Sequence, residues 1–232
     1  MRLDKFLSVT GKASRSEASK ASRAGRLTVN GLVVYDCSMH IDPDSDEICF
    51  DGMPVAYKKF TWIMMNKPAG VLSVSEDKKQ KTVIDLLPKP LSKMGLFPCG
   101  RLDKDTVGLL MLTNDGSLSH RLLSPKHHAE KKYFFRLDKP YDKACGIESG
   151  IMMDGKLTMP AKIEMKDELS GVITLTEGRY HQIKRMFAYA GSTVIYLKRI
   201  TFGGIRLDPS LGEGEWRPLT AEEEAVLRSA AL

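Results

Sequence analysis

Three stretches of this chain hold residue types that could do chemistry. The first, Gly100-Arg101-Leu102-Asp103-Lys104-Asp105-Thr106, leads into Leu109–Leu112, an apolar run that reads as a strand buried on both faces and ended by the turn Asn114-Asp115-Gly116. Asp103 therefore sits in a loop feeding a rigid core strand, a position from which a fold holds a reacting group steady. The second is Lys131-Lys132-Tyr133, where a strand pattern begins that puts Tyr133 and Phe135 on one side; by spacing alone this tyrosine reads as structural. The third, Glu177-Gly178-Arg179-Tyr180-His181-Gln182-Ile183-Lys184, follows the β-branched strand Val172–Thr176. It opens a helix in which Ile183, Met186, Phe187 and Ala190 recur at i, i+3, i+4 and i+7 before Gly191. Lys184, in the first turn, can aim back toward the end of that strand, where the loop of Asp103 could also lie. A pairing of the two would favour an ionised carboxylate while burial opposes it, and such a carboxylate can attack carbon or help remove a proton. The residues alone leave two rivals open: a structural Arg-x-Asp ion pair, and a magnesium site on the D-x-D of Asp103 and Asp105.

Other polar clusters carry less. His127 and His128 are neighbours, so on an extended segment they point to opposite faces, and no H-x-x-x-H or C-x-x-C partner exists for them. Asp42-Pro43-Asp44-Ser45-Asp46-Glu47 lacks the glycine and the distant glutamate of a calcium hand and reads as a solvated turn. No metal site is expected. The four cysteines are scattered, which predicts reduced thiols in a cytosolic chain without a disulfide or zinc framework. Charges interrupt Met1–Leu7 and no later run approaches membrane-spanning length, so the expectation is a cytoplasmic protein with no membrane partner.

The 232 residues, 42% apolar and 28% charged, suffice for one large or two modest domains. The net charge is +6, but its distribution says more: residues 1–35 hold 7 Lys/Arg against 2 Asp/Glu, and residues 36–57 hold none against 6. Leu3, Phe6 and Leu7 share one helical face, and Ser14-Arg15-Ser16-Glu17 has the form of a capping box for a second helix with Ala18, Ala21 and Ala24. Strand-like runs around Asn30-Gly31 complete a helix, helix, hairpin unit. Arg2, Lys5, Arg15, Arg23 and Arg26 are spaced to keep several cations on its solvent side, where they neutralise phosphates without reading sequence. Gly52-Met53-Pro54 and Tyr57-Lys58-Lys59 mark a boundary, giving domains 1–58 and 59–232. In the second, Phe60–Met65 reads as a buried strand broken by Asn66-Lys67-Pro68-Ala69-Gly70, and Tyr141–Asp167 as a helix with connecting strands. Val194–Phe202 is a strand, and Thr220-Ala221-Glu222-Glu223 caps a final helix.

The stretch from Gly100 to Gly116 resembles the GRLD-x-x-T-x-GL-x-x-x-T-x-DG signature of the RsuA branch of the pseudouridine synthases, enzymes that isomerise uridine within ribosomal RNA. Asn66-Lys67-Pro68-Ala69-Gly70 is similar to the family's N-K-P-x-G turn, Lys131-Lys132-Tyr133 to its K-x-Y, and Glu177–Lys184 to its E-G-R-x-H-Q-[VI]-[KR]. The first sixty residues resemble an S4-type RNA-binding module, departing at Ser22, where an aliphatic residue usually faces the hairpin; this predicts looser packing of the second helix. The resemblance implies an α+β protein, an S4-like module on a short linker followed by a larger domain with a mainly antiparallel mixed sheet. It implies Asp103 as the catalytic carboxylate, Lys184 as its partner and Tyr133 as the active-site tyrosine. The target uridine would be flipped out of its stack against Tyr133 and Ile183, with Arg101 filling the space it leaves. Arg179, His181, Gln182, Lys67, Lys126 and His127 are further candidates for contacting RNA. Breaking a carbon–nitrogen bond and rebuilding a carbon–carbon bond to the same base involves no net redox change, so no cofactor is expected. The runs Ser119-His120-Arg121 and Ser124-Pro125-Lys126-His127-His128 look most like the small-subunit type, which implies 16S rRNA as partner, free or in a partly assembled small-subunit particle, and a monomer. A synthase for large-subunit RNA and a non-catalytic assembly factor are the alternatives.

Overall fold

The computed structural model describes residues 1–124 and 129–231. It divides into two compact units, Met1–Phe60 with Pro88–Met94, and Thr61–Leu87 with Gly95–Leu232.

In the first unit, α1 (Leu3–Val9) buries Leu3, Phe6 and Leu7, and α2 (Arg15–Arg23) starts on the expected capping box. The Ser14 side chain accepts from the Glu17 amide while the Glu17 carboxylate accepts from the Ser14 amide. Strands β1 (Leu27–Val29) and β2 (Leu32–Val33) turn at Asn30 and Gly31, both with positive φ (51° and 78°), the geometry of a primed hairpin turn. With β3 (Ile48–Phe50) and β4 (Met53–Pro54) they form a sheet in the order β2-β1-β3-β4. Ser22 does not loosen α2. It is fully buried and donates its hydroxyl to the Val34 carbonyl at 2.9 Å, so one hydrogen bond replaces the aliphatic contact. The short α3 (Lys89–Ser92) groups with this unit.

The second unit is built on a mixed sheet. Its strands are β5 (Trp62–Lys67), β6 (Phe97–Cys99), β7 (Val107–Thr113), β8 (Lys131–Leu137), β11 (Lys162–Met165), β12 (Ser170–Leu175), β13 (Val194–Phe202), β14 (Ile205–Arg206) and β15 (Trp216–Pro218), numbered to leave β9 (Met152–Met153) and β10 (Lys156–Leu157) for a separate hairpin. The main path runs β11-β12-β8-β13-β7-β5-β15, with β13 and β7 parallel and the other pairings antiparallel. Helices α4 (Gly116–Leu123), α5 (Gln182–Tyr189) and α6 (Ala221–Ser229) pack by apolar faces that include Leu118 and Leu122, Met186 and Phe187, and Leu227.

All of β7 is buried, as its apolar run predicts. Gly108 lets β13 approach it: φ is +98°, and a Cβ there would lie 2.4 Å from the Arg199 carbonyl oxygen. Two expectations need correction. Strand β5 continues through Asn66 and Lys67, because Asn66 gives its amide to Glu215 O and its side chain to Leu211 O. Tyr141–Asp167 contains no α-helix; it holds two short 3-10 turns, the β9–β10 hairpin and β11.

Candidate active site

A cavity of about 900 Å³ opens on the second unit. The loops after β6 and β12 meet at it, and its lining includes Arg101, Asp103, Tyr133, Ile183, Lys184 and Arg199.

The loop bearing Asp103 is fastened from beneath. Ser73 donates its hydroxyl to Leu102 O at 2.9 Å and accepts from the Leu102 amide at 3.2 Å. The Gly70 amide donates to Lys104 O at 2.8 Å. Lys67, at the end of β5, is fully buried and directs its ammonium at the carbonyls of Pro68 (3.0 Å), Asp103 (3.2 Å), Lys104 (3.3 Å) and Thr106 (2.9 Å). Burial pulls Lys67 down to about 8, which still leaves it charged at neutral pH, and the carbonyls are suited to that form. The expectation that Lys67 contacts RNA is therefore corrected: it is a buried clamp on the loop that bears Asp103.

The third motif closes on the same carboxylate. His181 takes a left-handed backbone (φ 51°) as it caps α5, which turns the chain sharply between β12 and the helix. Its Nε2 lies 3.5 Å from Asp103 Oδ1, and its ring stacks on Tyr180 with centroids 3.8 Å apart. One turn on, Lys184 Nζ lies 3.3 Å from Asp103 Oδ2 and 2.5 Å from Asp105 Oδ1. The pairing of Asp103 with Lys184 is present, but the ammonium is shared, and its shorter contact is to Asp105. Burial would lower Lys184, yet hydrogen bonding to Asp105 and the charge of Asp103 outweigh it and hold the lysine above its ordinary range. Burial would likewise raise Asp105, and the Lys184 contact outweighs this and keeps it below the usual carboxylate range. The D-x-D pair thus faces one lysine.

Tyr133 on β8 and Ile183 on α5 are buried side chains lining the cavity, and Arg101 stands exposed at its edge. Arg179 and Gln182, expected to contact RNA, turn inward. Arg179 donates to the carbonyls of Met153 (3.1 Å), Lys156 (2.9 Å) and Leu157 (2.5 Å) and to Glu177, and so holds the β9–β10 hairpin. Gln182 accepts from the Arg179 amide and donates to Glu177. Both brace the turn because its backbone and the hairpin expose donors and acceptors that their side chains satisfy. Lys126 and His127 lie outside the described residues.

In the first unit Arg2, Lys5, Arg15, Arg23 and Arg26 are all exposed. Arg2 pairs with Asp4 and Arg26 with Asp51, contacts that orient the two guanidinium groups. Sequence reasoning missed Arg199, buried on β13, and gave Lys131 no role of its own. The signal for Arg199 was its register, a cation two residues from Leu197 and on the same inward face of a strand.

A fixed carboxylate beside an ammonium, at the mouth of a cavity with an aromatic and an aliphatic wall, is suited to chemistry on the sugar of an extruded nucleoside. Residues 61–189 match the RNA pseudouridylate synthase family and residues 1–48 match the S4 domain. The chain belongs to the pseudouridine synthase family, isomerases that act on RNA. Within it, the chain is 43% identical to the ribosomal small subunit pseudouridine synthase A of Haemophilus influenzae, over 96% of this chain and 97% of that one. It is 41% identical to the Escherichia coli (strain K12) protein of the same name, over 97% and 99%. A crystal structure of a pseudouridylate synthase, 40% identical, aligns over 98% of this chain and 99% of that one with a TM-score of 0.69.

Proposed function

We propose that this chain converts a specific uridine of 16S ribosomal RNA to pseudouridine, with residues 1–58 as the RNA-binding module and 59–232 as the catalytic domain. The observation that carries the reading is the position of Asp103, between Lys184 and His181 at the mouth of the cavity lined by Tyr133 and Ile183. The small-subunit relatives, similar over nearly their whole length, support the choice of RNA.

In this reading the exposed cations of the first unit hold phosphates and add affinity without specificity. The target uridine leaves its stack and enters the cavity, its base between Tyr133 and Ile183, while Arg101 takes the place of the base in the helix. Asp103 acts at the ribose, held by the Lys184 ammonium 3.3 Å from its carboxylate. The base detaches, turns and rejoins through carbon. Nothing is transferred in or out, so the chain's own residues suffice. The protein works as a monomer in the cytoplasm, and no helix among the described residues is long and apolar enough to cross a membrane.

The test is incubation of the purified protein with separate unmodified 16S and 23S transcripts, in EDTA, followed by mass spectrometry of the digested nucleosides. Pseudouridine forms in 16S RNA beyond one equivalent of enzyme, and Asp103→Asn abolishes it while RNA binding persists. Full activity in Asp103→Asn, or product only in 23S RNA, refutes the corresponding part of the reading.

A further inference from the structure

Two cations are buried at the cavity, and among the described residues no carboxylate pairs with either. Arg199 on β13 is 2% exposed and Lys131 on β8 is 8% exposed, and both line the cavity with Asp103 and Tyr133. They converge on one aromatic ring: the Arg199 guanidinium carbon is 5.1 Å and Lys131 Nζ 5.4 Å from the centroid of Phe202. Arg199 donates through Nε to the Leu109 carbonyl at 2.7 Å, and Lys131 donates to the Ala129 carbonyl at 2.8 Å. Among the described residues, Nη2 of Arg199 is buried with no hydrogen-bond partner, and neither cation has a carboxylate oxygen within 4.0 Å. Glu177 is near Lys131, but its oxygens are engaged by Arg179, Gln182 and the Met159 amide.

Such an arrangement is costly. Like charges repel, and a buried cation lacking a counter-charge is among the most destabilising groups a fold can hold. Burial and the neighbouring Arg199 pull Lys131 down to about 8. The arrangement makes sense if a negative charge arises in the cavity during the reaction.

We propose that Arg199, with Lys131 behind it, is an anion subsite that takes up the charge developing on the uracil ring as its bond to ribose breaks. The inference rests on the pseudouridine synthase reading. When the C1′–N1 bond breaks, its electron pair goes to N1 and spreads onto the carbonyl oxygens of the ring, whichever way Asp103 acts on the sugar. The ring turns, C5 bonds to C1′ using that electron density, C5 gives up its proton and N1 gains one, so atoms and charge balance. An uncharged base becomes an anion only on the way through, so a donor that engages it selectively lowers the barrier without tightening ground-state binding. A backbone phosphate fits less well: it carries its charge before and after the step, whereas Arg199 is buried and shares the cavity lining with Leu102, Leu175, Ile183 and Leu197, apolar groups suited to a planar ring.

The experiment compares wild type, Arg199→Gln and Lys131→Met in single turnovers on 16S transcripts carrying uridine or 5-fluorouridine, whose base is the better leaving group. Loss of the starting nucleoside is read by mass spectrometry, and RNA affinity and melting temperature are measured on the same preparations. Arg199→Gln is expected to slow the uridine reaction on the order of 100-fold, as loss of one preorganised donor does elsewhere. RNA affinity should be unchanged and the fold-loss smaller for 5-fluorouridine; Lys131→Met should show the same pattern more weakly. Should Arg199→Gln fail to fold, Lys131→Met is judged by the same comparison. A wild-type rate, or equal losses on both substrates as a merely structural role would give, overturns the proposal. Weakened RNA binding with an unchanged rate at saturating RNA also overturns it, in favour of a phosphate subsite. Absence of pseudouridine with the wild type would instead sink the parent reading.

Discussion

Lys67→Met is the sharpest test of how the Asp103 loop is held. The ammonium it removes is fully buried and faces four backbone carbonyls. It has three protons, and hydrogen bonds involving a charged group contribute roughly 1.5–3 kcal/mol each, so about 6 kcal/mol of favourable interaction is lost. Those contributions are already net of the cost of burying the charge, so the expected destabilisation at pH 7 is on the order of 6 kcal/mol, a drop of roughly 12–24 °C in melting temperature for a unit of this size. Because Asp103 and Lys104 supply two of the carbonyls, the loop should shift, and a displacement of about 1 Å costs on the order of 100-fold in rate.

The pH dependence gives an independent reading of the same residue. With its folded value depressed, Lys67 binds fewer protons in the folded than in the unfolded chain between pH 8 and 10.5. Wild type therefore gains stability relative to Lys67→Met as pH rises through that window, and the deficit of the variant widens. Lys131 is shifted in the same direction but is present in both proteins, so its effect cancels in the difference. Denaturant titrations at pH 7, 9 and 10, with single-turnover rates below the variant's melting temperature, measure both effects. A variant with wild-type rate and midpoint would mean that Ser73 and Gly70 hold the loop by themselves, and the clamp argument would be wrong.

Asp105→Asn should leave Lys184 to Asp103 and change the rate by less than about tenfold, since the side chain is 72% exposed and such pairs contribute little; a loss as complete as that of Asp103→Asn would reassign the reactive carboxylate. Gly108→Ala places a Cβ 2.4 Å from a backbone oxygen at φ +98°, and a loss of at least about 1–3 kcal/mol is expected from the denaturation midpoint. Arg179→Ala should abolish hydrogen-exchange protection across Met152–Leu157 and leave the salt dependence of RNA binding unchanged; a phosphate contact there would instead lower the salt slope by about one.

Much of this architecture was legible in the chain because its signals are local. The Ser14 and Thr220 capping boxes, the Asn30-Gly31 turn and the buried face of α5 each depend on residues within a few positions of one another. Other features depend on distant partners. Lys67 and Arg179 look like surface cations in sequence, and only the carbonyls that the fold brings to them turn them inward. The stretch Tyr141–Asp167 has no sustained period because tertiary contacts shape it. Gly150, at φ +100°, passes so close to Thr158 that a Cβ would lie 2.5 Å from its carbonyl oxygen, and the hairpin that follows hangs on Arg179. The pairing of Asp103 with Lys184 was accessible, since each lies beside a strong strand or helix signal. That Asp105 would share the lysine was not, because it depends on where one exposed loop carboxylate comes to rest.

The same distinction separates exposed positive charge, placed to attract RNA, from buried positive charge, placed to stabilise charge in the cavity. A net charge of +6 describes the protein seen from a distance, where exposed groups such as Lys5, Arg15 and Arg23 act and salt screens them. Lys67, Lys131 and Arg199 are buried around the Asp103 loop and the cavity, where screening is weak. Each holds a backbone carbonyl that fixes its place, Thr106 for Lys67, Ala129 for Lys131 and Leu109 for Arg199. Charges fixed in this way need no reorganisation when a negative charge appears, which is the condition under which electrostatic stabilisation accelerates a reaction most. High salt should accordingly weaken RNA binding steeply and leave the single-turnover rate at saturating RNA almost unchanged, because the first depends on the outer set of cations and the second on the inner.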